Sequence, residues 1–226
     1  MFYFDSTFII LIPALIISAW AQYKVSSTFN KYSNYRSMNG YTGAQVARML
    51  LDNSGLNYVP VEVIPGKLTD HYDPSKQVMR LSEDVFYGNS VASIGVAAHE
   101  TGHAIQHKRH YAPLIIRNTI VPVVNFSSNF SWILFIAGII LGFRGLISAG
   151  ILLFTAVVIF QIVTLPVEFN ASSRALKILS SRGILYGDEV RGAKKVLSAA
   201  AMTYVAAALT SIAQLIRLIV LSRRDD

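Results

Sequence analysis

From Gly145 to Val167 the chain reads GLISAGILLFTAVVIFQIVTLPV, 23 residues without a charged side chain, and Glu168 follows at once. A helix of about 20 predominantly apolar residues crosses the hydrocarbon layer of a bilayer. This stretch therefore predicts a membrane span ending beside a carboxylate. Upstream, only Arg144 separates it from a second uncharged stretch, Asn118–Phe143, so the two predict a transmembrane hairpin over 118–167. Ser6–Tyr23 and Val196–Ile216 are also uncharged. Phe8–Ala21 has Ser18 as its one polar side chain, and Met1–Asp5 carries no basic residue, so 1–23 reads as an uncleaved anchor rather than a signal peptide. The last stretch carries Thr203, Thr210, Ser211 and Gln214 and ends at Arg217, which suits packing against protein or lying at the interface.

The composition agrees. The 226 residues are 53% hydrophobic and 15% charged, with a mean hydropathy of +0.44, whereas soluble domains carry about 25% charged residues. The net charge is +7, but no dense Lys/Arg block appears, which excludes a nucleic-acid partner. There is no cysteine, so any metal must be held by His, Asp or Glu.

Between the first two apolar stretches lies a polar region, residues 24–117. Thr42 and Gln45 have capping-box spacing, and Val46–Leu51 then reads as a short amphipathic helix. Val59–Ile64, Leu68–Tyr72 and Gln77–Leu81, separated by Pro65-Gly66 and Asp73-Pro74-Ser75, read as strands of a small antiparallel sheet. The pattern is helical from about Ser90 to His107, and again from Asp188 to Ala201. The expected class is α+β, mostly α, with integral membrane helices. The parts are an anchor (1–23), a catalytic region (24–117), the hairpin (118–167), a second part of the catalytic region (168–198) and a C-terminal apolar helix (199–226).

The chemistry concentrates in Ala97-Ala98-His99-Glu100-Thr101-Gly102-His103-Ala104-Ile105-Gln106-His107. His-Glu-x-x-His on a helix puts two imidazoles on one face, where both reach one metal ion. Glu100 then stands beside the water that a zinc ion would activate, and serves as general base. With five His and five Glu in the chain, random order yields this spacing in about 0.2% of shuffles, so the motif is specific. A catalytic zinc takes three protein ligands. His107 is a poor third, because helical positions i, i+4 and i+8 climb about 12 Å. It reads as an outer neighbour of the site or as surface, and His110 reads as surface. Gln106 and Arg109 stand where the class with a third histidine would need Gly and His. Glu168 is the better third ligand, since two crossings return it to the side of the His motif. Glu83 and Asp84 compete from the sheet region. Asp188 and Glu189 suit a helix N-terminus.

Ile64-Pro65-Gly66-Lys67-Leu68-Thr69-Asp70-His71-Tyr72-Asp73-Pro74, the Ala98–His107 core and Leu165-Pro166-Val167-Glu168-Phe169 together resemble the bacterial YugP-type neutral zinc metallopeptidases. The likeness covers nearly the whole chain. It implies a membrane zinc protease distantly similar to the HtpX-like gluzincins. A zincin-like catalytic domain would hold one Zn2+ per chain through His99, His103 and Glu168. The pattern often places Asp two residues after that glutamate, and here Asn170 stands there.

His71, Tyr72 and Arg174 are candidates for stabilising the oxyanion, and the strand Gln77–Leu81 is the expected dock for an extended peptide. Regions 24–117 and 168–195 hold ten and six Lys/Arg, against Arg144, Arg223 and Arg224 opposite. That asymmetry predicts a multi-pass protein of the cell membrane with its catalytic face in the cytoplasm. The expected partners are the lipid bilayer and a peptide or membrane-protein substrate cleaved near the membrane surface; a membrane-protein partner or a homo-oligomer is compatible. Rival readings are a membrane protein with a structural zinc, a transporter or assembly factor carrying the motif by accident, and a zinc hydrolase of lipid or another non-peptide amide. The two middle apolar stretches hold no ionisable residue, which disfavours the transporter.

Overall fold

The computed structural model describes residues 6–223. The start of the anchor, Met1–Asp5, and Arg224 lie outside the described residues. After a 3-10 turn at Ser6–Ile10 come α1 (Ile12–Ser33), α2 (Gly43–Asn53), β1 (Val61–Ile64), β2 (His71–Asp73), β3 (Val78–Ser82) and α3 (Glu83–Phe86). The chain continues with α4 (Val91–Lys108), α5 (Ala112–Leu141), α6 (Arg144–Ser181) and α7 (Gly187–Ser222). It divides into two compact units, one of residues 1–22, 115–166 and 202–226, the other of residues 23–114 and 167–201.

The first unit is helical and largely apolar on its outside. Among the described residues, three helices are long and apolar enough to cross a membrane, α5, α6 and α7; α1 is not one of them. Ile133, Ile140, Leu141, Leu152 and Ile159 are exposed on these helices, as lipid-facing positions would be. Inside, Phe135, Ile147, Phe154, Val158 and Leu218 form the core. Gly150 lets α6 approach α5, since a Cβ there would lie 2.7 Å from the Ser131 carbonyl oxygen. Two polar residues at the last apolar stretch, Thr210 and Arg217, have side-chain partners near the start of the chain. Thr210 Oγ1 lies 3.0 Å from Ser18 Oγ, and Arg217 Nε donates to Thr7 Oγ1 at 3.2 Å.

The second unit carries the sheet and the His motif. Thr42 and Gln45 make both capping-box bonds, the hydroxyl taking the Gln45 N–H and the amide oxygen the Thr42 N–H. Such a cap contributes about 1 kcal/mol. Helix α2 then buries Val46, Ala47, Leu50 and Leu51. Phe29, Leu51, Met79, Leu81 and Val85 form one apolar cluster with Ala97 and Ala104 of α4. A second cluster joins Val46 and Leu50 to Ile94 and Ala98 of α4 and to Ala175 and Leu179 of α6. Helix α4 is thus held from both sides.

Two expectations about the sheet require correction. The sheet is mixed, not antiparallel: its order is β1-β3-β2, with β1 parallel and β2 antiparallel to β3. Strand β3 is therefore central and paired on both sides, so the strand at 77–81 has no free edge for a peptide. The second strand also starts later than expected, because Leu68 adopts φ +56° and breaks the extended run. Asp70 then accepts from the Ser82 N–H at 2.7 Å, and the ladder begins at His71. At the next turn Asp73 Oδ1 accepts from the N–H groups of Ser75 and Lys76.

Gly102, inside the His motif, is a close approach of α4 to α6 in this unit. A Cβ there would stand 2.8 Å from the Ala171 carbonyl oxygen and 3.2 Å from its Cα, all backbone. Gly102→Ala is therefore expected to destabilise the protein by about 1–3 kcal/mol, as overpacking does. Gly95→Ala, whose Cβ would meet Ala193 Cβ at 3.5 Å, should be neutral or stabilising. Thermal unfolding of the two variants tests this; equal midpoints would contradict the close approach.

Candidate metal centre

Helix α4 starts at Ser90, whose hydroxyl accepts the Ser93 N–H at 3.1 Å. Its apolar face packs into both clusters of the second unit. The 3.6-residue period then brings His99 and His103 onto a common face, with ring centroids 4.7 Å apart. Opposite them α6 presents Glu168, which is only 3% exposed. His99 Nε2 lies 3.2 Å from His103 Nε2 and 3.3 Å from Glu168 Oε2, and His103 Nε2 lies 3.5 Å from that same oxygen.

These three separations provide a test of fit. Ligands about 2.0–2.1 Å from a tetrahedral zinc stand about 3.3–3.4 Å from one another. The observed triangle matches that spacing, and the donor set of two imidazoles and a carboxylate suits zinc. Among the described residues, these three form the group of His, Asp and Glu side chains able to hold a metal ion.

The outer nitrogens set the ring orientations. Gln106 Nε2 donates to the Val167 carbonyl at 2.8 Å and to Asn170 Oδ1 at 3.0 Å. That fixes which end of the amide is oxygen, and Gln106 Oε1 faces His103 Nδ1 at 3.1 Å. His103 must carry its proton on Nδ1, leaving the Nε2 lone pair toward the centre. Ser172 Oγ stands 3.1 Å from His99 Nδ1 and can accept from it in the same way. Sequence reading passed over both residues. Gln106 had a usable signal, a polar side chain three residues after His103 on the helix face that carries both histidines. Ser172 lies four residues after Glu168, hence one turn along the same helix face.

Glu100 is 8% exposed. Its Oε2 accepts the Tyr72 backbone N–H at 3.0 Å, tying β2 to α4. Burial pushes its carboxyl up to about 7 against the opposing pull of His99, with Glu168 and Asp70 adding to the rise. Tyr72 Oη lies 3.0 Å from His107 Nδ1. Burial, with Tyr58 and Asp73 adding to it, pushes the phenol up to about 12, so it stays protonated at neutral pH.

His71 turns elsewhere: its Nδ1 faces the Thr69 carbonyl at 2.8 Å, and Arg80 flanks Nε2. Arg174 Nε donates to Asn170 Oδ1 at 2.6 Å, and its guanidinium sits over the Tyr111 ring. Asn170 thus accepts from both Gln106 and Arg174, work that its amide oxygen does as a carboxylate would. The competing acids stand apart from the His pair. Glu83 and Asp84 form the first turn of α3, Asp188 pairs with Arg191, and Glu189 accepts from Met38 N and Tyr186 N.

A family profile described as "Putative neutral zinc metallopeptidase" matches residues 7–223. The chain belongs to this family. It is 54% identical over 217 residues to the "Putative membrane protease YugP" of Bacillus subtilis (strain 168), an alignment covering 95% of this chain and 96% of that protein. No solved structure matches the chain. The family gives zinc and peptide hydrolysis as the chemistry for which the triangle of His99, His103 and Glu168 is to be read.

Outer hydrogen bonds that orient ligating histidines typically contribute 10–100-fold to metal affinity. Ser172→Ala and Gln106→Leu are each expected to lower zinc affinity within that range, about 10–100-fold. Competition with a chromophoric chelator measures this. Wild-type affinity in both variants would show that these contacts do not orient the rings.

Proposed function

We propose that the chain is a multi-pass membrane zinc endopeptidase with a zincin-like catalytic unit, in which His99, His103 and Glu168 hold the metal and Glu100 is the general base. The observation that supports this reading most strongly is the triangle of Nε2, Nε2 and Oε2 atoms at zinc spacing, with Glu100 next in sequence to one of its corners. A zinc ion held by these three residues would supply Lewis-acid chemistry, polarising the scissile carbonyl and acidifying a water. Glu100 would accept a proton from the attacking water and deliver it to the leaving amine. Its burial favours this role, because a carboxyl raised to about 7 both accepts and returns a proton near neutral pH.

Strand β2 replaces β3 as the peptide dock. It is an edge strand, and the Tyr72 N–H on its open side already reaches Glu100. An extended substrate added along that edge would run past the base. The Tyr72–His107 pair is the donor assigned to the oxyanion, with a phenol that remains protonated while peptide is cleaved. Glu168 directly follows the apolar part of α6, so the reading places substrates at the membrane surface. Juxtamembrane or partly unfolded polypeptides fit that position better than free soluble peptides. The Lys/Arg asymmetry supports a cytoplasmic face.

Glu100→Gln keeps the shape of the side chain and removes its basicity. The variant is expected to retain zinc at the wild-type ratio and to lose hydrolysis of a membrane-tethered peptide by about 10²–10⁴-fold, the usual contribution of a general base. Activity in the zinc-loaded variant near that of the wild type would sink the assignment.

The pH dependence carries a definite sign. Catalysis needs the carboxylate, so activity is present above the Glu100 pKa and is lost as the pH falls through it. A neighbouring cation lowers that pKa. The acid limb of kcat/KM should therefore fall below pH 7, with zinc still bound across it. A limb that tracks zinc loss instead would point away from Glu100.

A further inference from the structure

Within the second unit, a cavity of about 540 Å³ opens between the C-terminal end of α4, the end of α2 and about the last two turns of α6. Five cationic side chains line it, Lys108, Arg109, Arg174, Lys177 and Arg182, and no carboxylate does. Like charges gathered around a concave space repel one another, and the low-dielectric wall focuses their field. Such a grouping is unfavourable until an anion occupies it.

The five are not equally committed. Lys108 Nζ donates to the Ser54 and Gly55 carbonyls at 2.6 and 3.0 Å. Arg174 is anchored to Asn170. Arg109, Lys177 and Arg182 are exposed, and among the described residues no carboxylate pairs with them. Two cations are thus fixed as a base and three are available to close on a ligand. Ser54 and Ser181 add hydroxyl groups to the lining, and Ile105 and Ile178 add an apolar wall.

We infer that this cavity is a binding site for a phosphate-bearing anion, distinct from the metal centre. A phosphate monoester carries about two negative charges and three acceptor oxygens. The guanidinium forks of Arg109 and Arg182 and the ammonium of Lys177 can share those oxygens, which a single carboxylate would not saturate. The volume lies within the about 300–1,000 Å³ usual for small-molecule sites. The ligand is either a soluble phosphate ester or the headgroup of an anionic phospholipid, and both present the same chemistry to the cavity. Arg174 joins the cavity to the metal centre, since Asn170, which it holds, also holds Gln106 and through it His103. A bound anion would therefore touch the network that orients a histidine of that centre.

Isothermal titration calorimetry on the full, zinc-loaded chain in non-ionic detergent tests the site without reference to hydrolysis. The probes are glycerol 3-phosphate, dihexanoyl phosphatidic acid and, as a zwitterionic control, dihexanoyl phosphatidylcholine. Binding of both phosphate monoesters would support a site for soluble esters. Binding of phosphatidic acid alone would support a lipid headgroup. In either case binding should weaken with added salt. It should weaken at least about tenfold in Lys177→Ala/Arg182→Ala, as loss of two charged hydrogen bonds requires. Lys31→Ala/Lys76→Ala removes the same charge outside the cavity and should bind as the wild type does. Zinc content checks that each variant is folded, and the single variants Lys177→Ala and Arg182→Ala, each with weaker binding, serve if the double one is not. Equal binding of phosphatidylcholine, no binding of either monoester, or equal losses in the two double variants would overturn the proposal. The outcome leaves the peptidase reading to stand or fall on Glu100.

Discussion

Three metal-ligating side chains, His99, His103 and Glu168, converge in the second unit, and the packing around them is built on that convergence. Two imidazole nitrogens and a carboxylate oxygen sit within 3.5 Å of one another in a mostly buried place. The protonated edge of His103 is occupied by the Gln106 amide, so its inner nitrogen has only a lone pair to offer. Groups arranged in this way could hold a metal ion between them. The packing of the unit serves that arrangement. Helix α4 is clamped by two apolar clusters, Gly102 lets α6 come close, and the amide of Gln106 spans the gap to Val167 and Asn170.

Glu100, the proposed base, is held by the same scaffold. Glu100 points away from water, and its hydrogen bond from the Tyr72 backbone makes the edge strand part of the centre. Sheet and helix are therefore coupled through one carboxylate oxygen. Movement of β2 on taking up a substrate would be felt at Glu100 first. Tyr72 contributes twice, by its N–H to Glu100 and by its hydroxyl to His107. Family membership points to zinc-dependent peptide hydrolysis, and these contacts support the roles proposed for this chain's own residues.

Some of this was legible in the sequence because it depends on local spacing. Thr42 and Gln45 announced a helix start through two reciprocal bonds, and both bonds form. His99 and His103 are one turn apart whatever the tertiary fold. Long uncharged stretches gave helices because no other backbone satisfies its own hydrogen bonds in an apolar environment. Glu168 required more, namely the expectation that the hairpin over 118–167 returns the chain to the side of the histidines. The failures share a different cause. Strand order is a long-range property, and three short strands in a row suggested a meander. The parallel pairing of β1 with β3 depends on where the Pro65–Asp70 connection runs, and Leu68 in the left-handed region redirects it. Gln106 and Ser172 were missed because their partners lie on other helices or at the far edge of a ring. Nothing in a linear string marks Ser172 as a neighbour of His99.

Zinc K-edge X-ray absorption on the purified, metal-loaded protein addresses the central claim directly, because it reports the ligand set and no other property. The account predicts two imidazole nitrogens at about 2.0–2.1 Å, a carboxylate oxygen at about 2.0–2.2 Å and one further light donor. In Glu168→Ala the carboxylate contribution should disappear while both imidazoles stay. A shell with one imidazole or with three, or a spectrum unchanged by that substitution, would contradict the account.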